Sequence, residues 1–177
     1  MSSSDYGSDF HLIADRYPAL KSYVLDFAPY VKEKTGGFVG REFVFERVQG
    51  FIEQNDRGYL RIVADAGIGK TSIAAALAQR YRAVAHFFDA QMGFTDPEIG
   101  LTHLAVCLVS RFALPYEFIP HRTGVGAPFL AEVLERASRQ QTDGDPIVLV
   151  IDALDQATPA PLGFNWLNLP DADEAQV

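Results

Sequence analysis

The chain has a single cysteine, Cys107. No internal disulfide can form, and a reducing compartment is compatible with that. No apolar run approaches the roughly 18 residues that span a bilayer. Met1 to Phe10 is polar and lacks the basic-then-apolar profile of a signal peptide. No membrane partner is expected, and the cytoplasm is the default compartment. Clustered cations are also missing: Lys and Arg number 15 against 23 Asp and Glu, for a formal charge of -8. Non-specific nucleic-acid binding needs clustered Lys and Arg to neutralise phosphates, so nucleic acid is not an expected partner. The densest basic stretches, Arg80 to Arg82 and Arg136 to Arg139, fall on expected helices and read as solvated faces. Metal-ligand spacing is absent around His11, His103 and His121. His86 reads as a core histidine in a strand, and Cys107 as helix core. No serine–histidine–aspartate arrangement, internal repeat or low-complexity tract is visible.

What remains is a 177-residue chain, 48% hydrophobic, long enough for one domain with a sizeable core. Residues 1 to about 16 read as a loose tail, rich in Ser, Asp and Gly near its start. Tyr17 to Val31 is compatible with a helix whose ends Pro18 and Pro29 limit. Lys34 to Gly37 is a turn, and a helix from Arg41 to Gln54 follows with Phe43, Phe45, Val48, Phe51 and Ile52 on its apolar side. Tyr59 to Val63 suits a buried strand, and Ser72 to Tyr81 a helix with Ile73, Leu77 and Tyr81 on one face. Ala83 to Phe88 is apolar enough for a second strand. Asp96 or Thr95 is placed to cap a helix from Pro97 to Phe112. Leu114 to Gly126 is irregular, Pro128 to Arg139 a further helix, and Gln140 to Asp145 a polar turn. Trp166 is a plausible packing anchor or, if uncovered, a partner surface.

The most informative stretch is Leu60 to Thr71, Leu-Arg-Ile-Val-Ala-Asp-Ala-Gly-Ile-Gly-Lys-Thr. A short apolar strand, a glycine-bearing turn and Lys-Thr opening an alanine-rich helix are the order a phosphate-binding loop requires. The N–H groups of such a turn and of the first helical turn converge on one spot with partial positive charge. Lys70 is placed to reach the β and γ phosphates of a polyphosphate, and the Thr71 hydroxyl to ligate Mg²⁺. Against the pattern G-x-x-x-x-G-K-S/T, Ala64 replaces the first glycine, which is tolerable where its φ is negative. Gly67 and Gly69 remain where backbone must approach phosphate closely.

A second motif runs from Pro146 to Gln156. Ile147 to Ile151 is apolar throughout and suits a central parallel strand covered on both faces. Asp152 then falls at the strand's carboxyl end, where open α/β sheets bind ligands. It is placed to hold Mg²⁺ directly or through water, and Asp155 to orient an attacking water.

From Arg41 onward, helices and strands alternate, which implies right-handed crossovers and a mostly parallel sheet with helices on both faces. The expected class is α/β, a three-layer P-loop NTPase fold. Three strands are counted, the third ending at Asp152, and residues 153–177 carry Pro159, Pro161 and Pro170. The sheet is therefore expected to be incomplete on its C-terminal side, the chain being the front part of a longer protein. A natural mini-domain is the alternative.

Three stretches together resemble the STAND class of P-loop NTPases, especially its NACHT-like members. Phe38-Val-Gly-Arg-Glu42 is similar to the Val-Gly-Arg motif that precedes the nucleotide domain there. Ala66-Gly-Ile-Gly-Lys-Thr71 resembles its phosphate loop, and Val150-Ile-Asp-Ala-Leu-Asp155 its Walker B strand. Ala85-His-Phe-Phe88 is weakly similar to its second strand. The resemblance covers about residues 38 to 170, and divides the chain into an N-terminal tail and helix (1–37) and a truncated NACHT-like domain (38–177). It implies an ATP/ADP switch that uses Mg²⁺, with self-association and downstream repeat or effector domains in the full-length protein. It also implies nucleotide contacts for Gly40 and Arg41 near the base and ribose, and for Ala66, Gly67, Ile68, Gly69, Lys70, Thr71 and Ser72 at the phosphates. Thr71 and Asp152 would serve the metal, and Lys70, Asp152 and Asp155 catalysis. Gln156 stands where many relatives carry glutamate, and an amide is no general base, so slow hydrolysis is expected. The family's sensor-arginine strand and winged-helix region have no counterpart in the chain.

The sequence thus favours an ATP-binding regulatory switch. The absence of an Asn-Lys-x-Asp signature argues against guanine. Two alternatives stand beside it: a nucleotide-blind interaction module that keeps the fold, and a small P-loop phosphotransferase. The latter would need lid arginines after the third strand, whereas Arg122 and Arg136 to Arg139 precede it.

Overall fold

The computed structural model describes residues 13, 15–119, 126–141 and 145–158, together with the backbone of 173–176. His11, His121, Arg122 and Trp166 lie outside the described residues. The chain is a mixed helix–strand structure with short parallel strands. Its helices are α1 (Ala28–Thr35), α2 (Glu42–Gln54), α3 (Lys70–Arg80), α4 (Pro97–Arg111) and α5 (Ala127–Gln140). The strands are β1 (Leu60–Val63), β2 (Val84–Phe87), β3 (Leu149–Asp152) and β4 (Asp173–Gln176).

Strands β2 and β3 pair in parallel, with Val84 opposite Leu149 and Phe87 opposite Asp152. Side chains alternate between the faces of a strand, so register partners share a face. Val84, Leu149 and Ile151 face a core built from α4 and α5, where Leu104, Leu108, Phe129 and Val133 are buried. Ala85, Phe87 and Val150 face the other way, onto Val31 of α1 and Ala74, Ala75 and Ala78 of α3. The alanines of α3 give it a flat side that lets the helix lie close to the strands. Helices therefore cover both faces of the β2–β3 pair, as the apolar run Ile147 to Ile151 requires.

Strand β1 pairs in parallel with β4. Among the described residues no ladder joins this pair to β2–β3. The two pairs share a helix instead: Leu60 and Ile62 of β1 and Val150 of β3 all rest on Ile73 and Leu77 of α3, beside Val44 and Val48 of α2. Expecting only three strands misses β4, whose Asp-Glu-Ala-Gln sequence has neither apolar alternation nor β-branched residues to announce it.

Two expectations for the N-terminus need correction. The stretch Tyr17 to Val31 is not one helix: a 3₁₀ turn spans Pro18–Tyr23, the chain extends, and α1 begins at Ala28. Each proline sits in the first turn of its own helix, where its missing N–H costs nothing. The Asp26 carboxylate accepts from the Ala28 N–H at 3.0 Å and helps set the second start. Nor is the chain loose up to residue 16. Ile13 is fully buried with Leu20 against α4 and α5. The Tyr17 hydroxyl donates to the Leu114 carbonyl at 3.0 Å.

Other boundaries lie within two residues of the sequence expectation. Asp96 caps α4, its carboxylate accepting the Glu98 N–H at 2.8 Å, and Pro97 takes the first helical position. Cys107 and His103 are buried within α4. Arg136 and Arg139 pair with Glu132 and Glu135 one turn away on α5, as a solvated helix face would. No described helix is long and apolar enough to cross a membrane.

Candidate functional site

The turn between β1 and α3 is shaped by Gly67 and Gly69, at φ +81° and +94°. A side chain at either would be strained in this left-handed region. Among the described non-glycine residues only Arg41, Arg82, Ala113 and Ala153 have positive φ. Ala64 does not, so alanine at the first loop position carries no backbone penalty. Gly69 caps α3 without any side-chain cap. The first N–H groups of a helix lack intrahelical acceptors, so they remain directed out of the N-terminal end, where the helix dipole is positive.

Lys70 folds over this turn. Its ammonium donates to the Ala64 carbonyl at 2.8 Å and the Asp65 carbonyl at 3.0 Å. Both acceptors are neutral, and among the described residues no carboxylate comes within ion-pair distance of it. Arg41 adds a second cation at the lip: its guanidinium donates to the Ile68 carbonyl at 3.3 Å. The Val-Gly-Arg stretch and the loop, far apart in sequence, are thereby in contact. Gly40, Arg41, Ala66, Gly67 and Ile68 are exposed, while Gly69, Lys70, Thr71 and Ser72 are half-buried.

Asp152 ends β3 on the face shared by Phe87, which turns it toward α1 and α3. Burial holds its carboxyl above the usual aspartate range. A hydrogen bond from the Thr71 hydroxyl, the Ala153 N–H and the charge of Lys70 pull it down, and Asp155 pushes it up. The structure thus brings together Lys70, Thr71 and Asp152, three of the residues that the sequence singled out. Asp155 is close enough to act on Asp152 electrostatically, yet is exposed on a one-turn 3₁₀ helix, Leu154–Gln156. Ala153 turns the chain there at φ +55°, a conformation costing a non-glycine residue about 1 kcal/mol.

A raised carboxyl pKa means that the folded chain favours the protonated form. That contribution is complete below the ordinary aspartate value of 3.8 and is lost as the pH rises through the raised folded value. Ionised Asp152 therefore costs stability at neutral pH. Asp152→Asn is expected to raise the melting temperature of the chain alone at pH 7, with the gain shrinking toward pH 4. A melting temperature lowered at pH 7 would contradict the assignment.

Three further residues border the site. Gln156 is not idle at the position where glutamate was expected: its side-chain oxygen accepts the Ala90 N–H at 2.9 Å, tying the turn after β3 to the loop after β2. Asp89, in the loop after β2, accepts from the N–H groups of Gln91 and Met92. Tyr30 of α1 lies on Phe87, ring centroids 5.1 Å apart. The Gln156 and Tyr30 contacts are tertiary, and no local pattern announces them.

A divalent hard cation takes oxygen ligands and keeps several waters when it binds beside phosphates. Thr71 and Asp152, two oxygen donors on neighbouring elements with the carboxyl partly desolvated, fit that chemistry. Among the described residues no cluster of three or more His, Cys, Asp or Glu is placed to hold a metal by itself. No known protein family, curated protein or solved structure matches the chain.

Proposed function

We propose that the chain is an ATP-binding regulatory switch domain of three-layer P-loop architecture, similar to the STAND class, with slow Mg²⁺-dependent hydrolysis. The placing of Thr71 and Lys70 at the N-terminal end of α3, within reach of Asp152 at the end of β3, carries this reading. Two motifs distant in sequence, each suited to one half of a phosphate–metal site, meet at the carboxyl ends of parallel strands.

ATP with Mg²⁺ would supply the labile terminal phosphoanhydride and the charge neutralisation for its cleavage. The N–H groups of Ala66 to Ser72 would cradle phosphate oxygens. Lys70 would exchange its two carbonyl acceptors for phosphate oxygens, a charge-assisted bond being the stronger. Thr71 and Asp152 would hold the metal, Asp155 would orient water, and Gly40 and Arg41 would flank base and ribose. Gln156 carries no exchangeable basic group and spends its oxygen on Ala90, so proton removal from water would be weakly assisted and turnover slow. A slowly hydrolysing site suits a switch held in its ATP or ADP state, with self-association and effector domains reading that state.

Titration of the purified chain with a fluorescent ATP analogue and Mg²⁺ tests the reading. Saturable binding is expected in the wild type. In Lys70→Ala it should weaken by roughly tenfold or more, the worth of hydrogen bonds to a charged group. A folded wild type without binding would leave the nucleotide-blind interaction module as the better reading. The phosphotransferase reading is weaker, because Arg136 and Arg139 are engaged along α5.

A further inference from the structure

We propose that Lys34, near the C-terminal end of α1, is a ligand of the terminal phosphate of a nucleoside triphosphate, held in place by Tyr30. The assignment rests on the phosphate-site reading above and adds to it a residue upstream of every motif in the sequence.

The argument begins with strand periodicity. Phe87 and Asp152 are register partners and share one face, and α1 and α3 cover that face. Helix α3 brings Thr71 to Asp152. Helix α1 brings Tyr30 to Phe87, 5.1 Å between centroids, and Lys34 follows one turn later on the same side of the helix. Its ammonium sits 5.0 Å from the Tyr30 ring centroid, a cation–π contact that fixes where the side chain starts. Tyr30 lies in the field of Asp89 and Asp152 as well as of Lys34. The ammonium in turn feels Asp89. Lys34 therefore stands by Tyr30 near the carboxyl end of β2, whose neighbour β3 ends at Asp152.

Charge explains why a cation is useful there. Asp89, Asp152 and Asp155 gather at these strand ends, and Lys70 serves the loop side. A triphosphate carries more negative charge than a diphosphate, and the surplus lies at the end nearest Asp152. Placing that surplus beside carboxylates is unfavourable unless another cation offsets it. Lys34 is available: its present ion-pair partner is the exposed Glu33 at 3.0 Å, and surface pairs of this kind are weak and exchangeable. A lysine ammonium on a flexible stem binds phosphate as a point charge. Because it would meet the terminal phosphate alone, Lys34 would distinguish triphosphate from diphosphate. It would also transmit the difference to α1, which packs along α3.

Calorimetric titration of the full chain with Mg-ATP and with Mg-ADP tests this, comparing wild type, Lys34→Met, Lys34→Arg and Lys32→Met. Methionine keeps a flexible apolar stem against the Tyr30 ring, and urea unfolding of each variant verifies the fold. Lys34→Met is expected to weaken ATP by roughly tenfold or more while leaving ADP within about twofold. Lys34→Arg should retain the preference, and Lys32→Met, on the exposed side of α1, should change neither affinity. Equal loss for both nucleotides, or no loss, in a wild type that binds both would overturn the Lys34 assignment alone. A folded wild type that binds neither would overturn the phosphate-site reading and this assignment with it.

Discussion

Phe27→Ala is expected to lower the unfolding free energy by about 3–5 kcal/mol, the usual cost of truncating a buried phenylalanine. That is a large share of the roughly 5–15 kcal/mol that holds a domain of this kind together. Phe27 is nearly fully buried and meets five rings, mostly edge to face: Tyr30 at 6.3 Å, His86 and Phe87 at 5.3 Å, His103 at 5.4 Å and Phe94 at 5.7 Å. Those rings come from α1, β2, α4 and the loop after β2, so the cavity would open where the N-terminal segment joins the strands. Little local collapse is available, because each neighbour is fixed by its own element. Urea denaturation should show a lower midpoint with an unchanged slope. Tyr23→Ala, at an exposed site in the same segment, should stay within about 0.5 kcal/mol. A loss under about 1 kcal/mol at Phe27 would mean that residues before the Val-Gly-Arg stretch merely lie against the rest.

The integration of this segment is where sequence and structure part most clearly. Drawing a division at residue 38 follows from motif positions, because motifs mark where chemistry is expected to begin. Burial follows different signals. Leu20, Val24, Phe27 and Val31 recur at the i, i+4, i+7, i+11 spacing of a helix face, so the pattern marks them for burial but suggests one helix where the structure has a 3₁₀ turn, an extended stretch and α1. Helices α2 to α5 were legible because apolar stripes, Pro97 and Asp96 mark them. Strands β1 to β3 were legible as apolar runs between turn residues. Strand β4 was not, since a short, polar strand is made by its partner's ladder rather than by its own side chains.

At the site, identity was more legible than position. Gly67, Gly69, Lys70 and Thr71 announce a loop–helix junction because glycine takes left-handed turns without strain and a helix start exposes N–H groups. Asp152 announces itself as the first charge after an apolar strand. That Thr71 and Asp152 face each other depends on which side of β3 meets α3, and the alternation decides it: Ile151 goes to the α4 side and Asp152 to the α3 side. Tyr30, Lys34 and the Gln156–Ala90 bond carry no sequence signal, being consequences of packing alone.

Acid should destabilise the chain through its two buried histidines well before most carboxylates are protonated. His103 is fixed as one tautomer: the Leu25 N–H donates to its Nδ1 at 3.1 Å, so Nε2 carries the proton and donates to the Ala85 carbonyl at 3.1 Å. Burial lowers its pKa to about 4, although the Ala85 carbonyl opposes the shift. His86 is fully buried with neither ring nitrogen partnered, enclosed by the rings of Phe27, Phe88 and His103. Burial, then the neighbouring His103, lower its pKa to about 3. A depressed histidine pKa contributes stability that is complete above the unfolded value of 6.5 and is withdrawn as the pH falls from 6.5 toward 4 and then 3. At about 1.4 kcal/mol per pH unit and histidine, the loss would reach several kcal/mol before pH 4. Asp152 runs the other way, since its raised pKa relieves a cost on protonation, so a variant is needed to isolate the histidines. His86→Leu, which removes the unpartnered nitrogens while keeping a side chain of similar bulk, should flatten the acid limb of a urea-stability profile and hold more stability than wild type at pH 5. A smaller side chain suits this position better than phenylalanine, because a Cβ built on Gly100 would already stand 3.0 Å from the His86 Nε2, leaving no room toward α4. Identical acid limbs in the two proteins would show that His86 takes up its proton in the folded chain without cost, and therefore that water reaches the face of β2 that α4 covers.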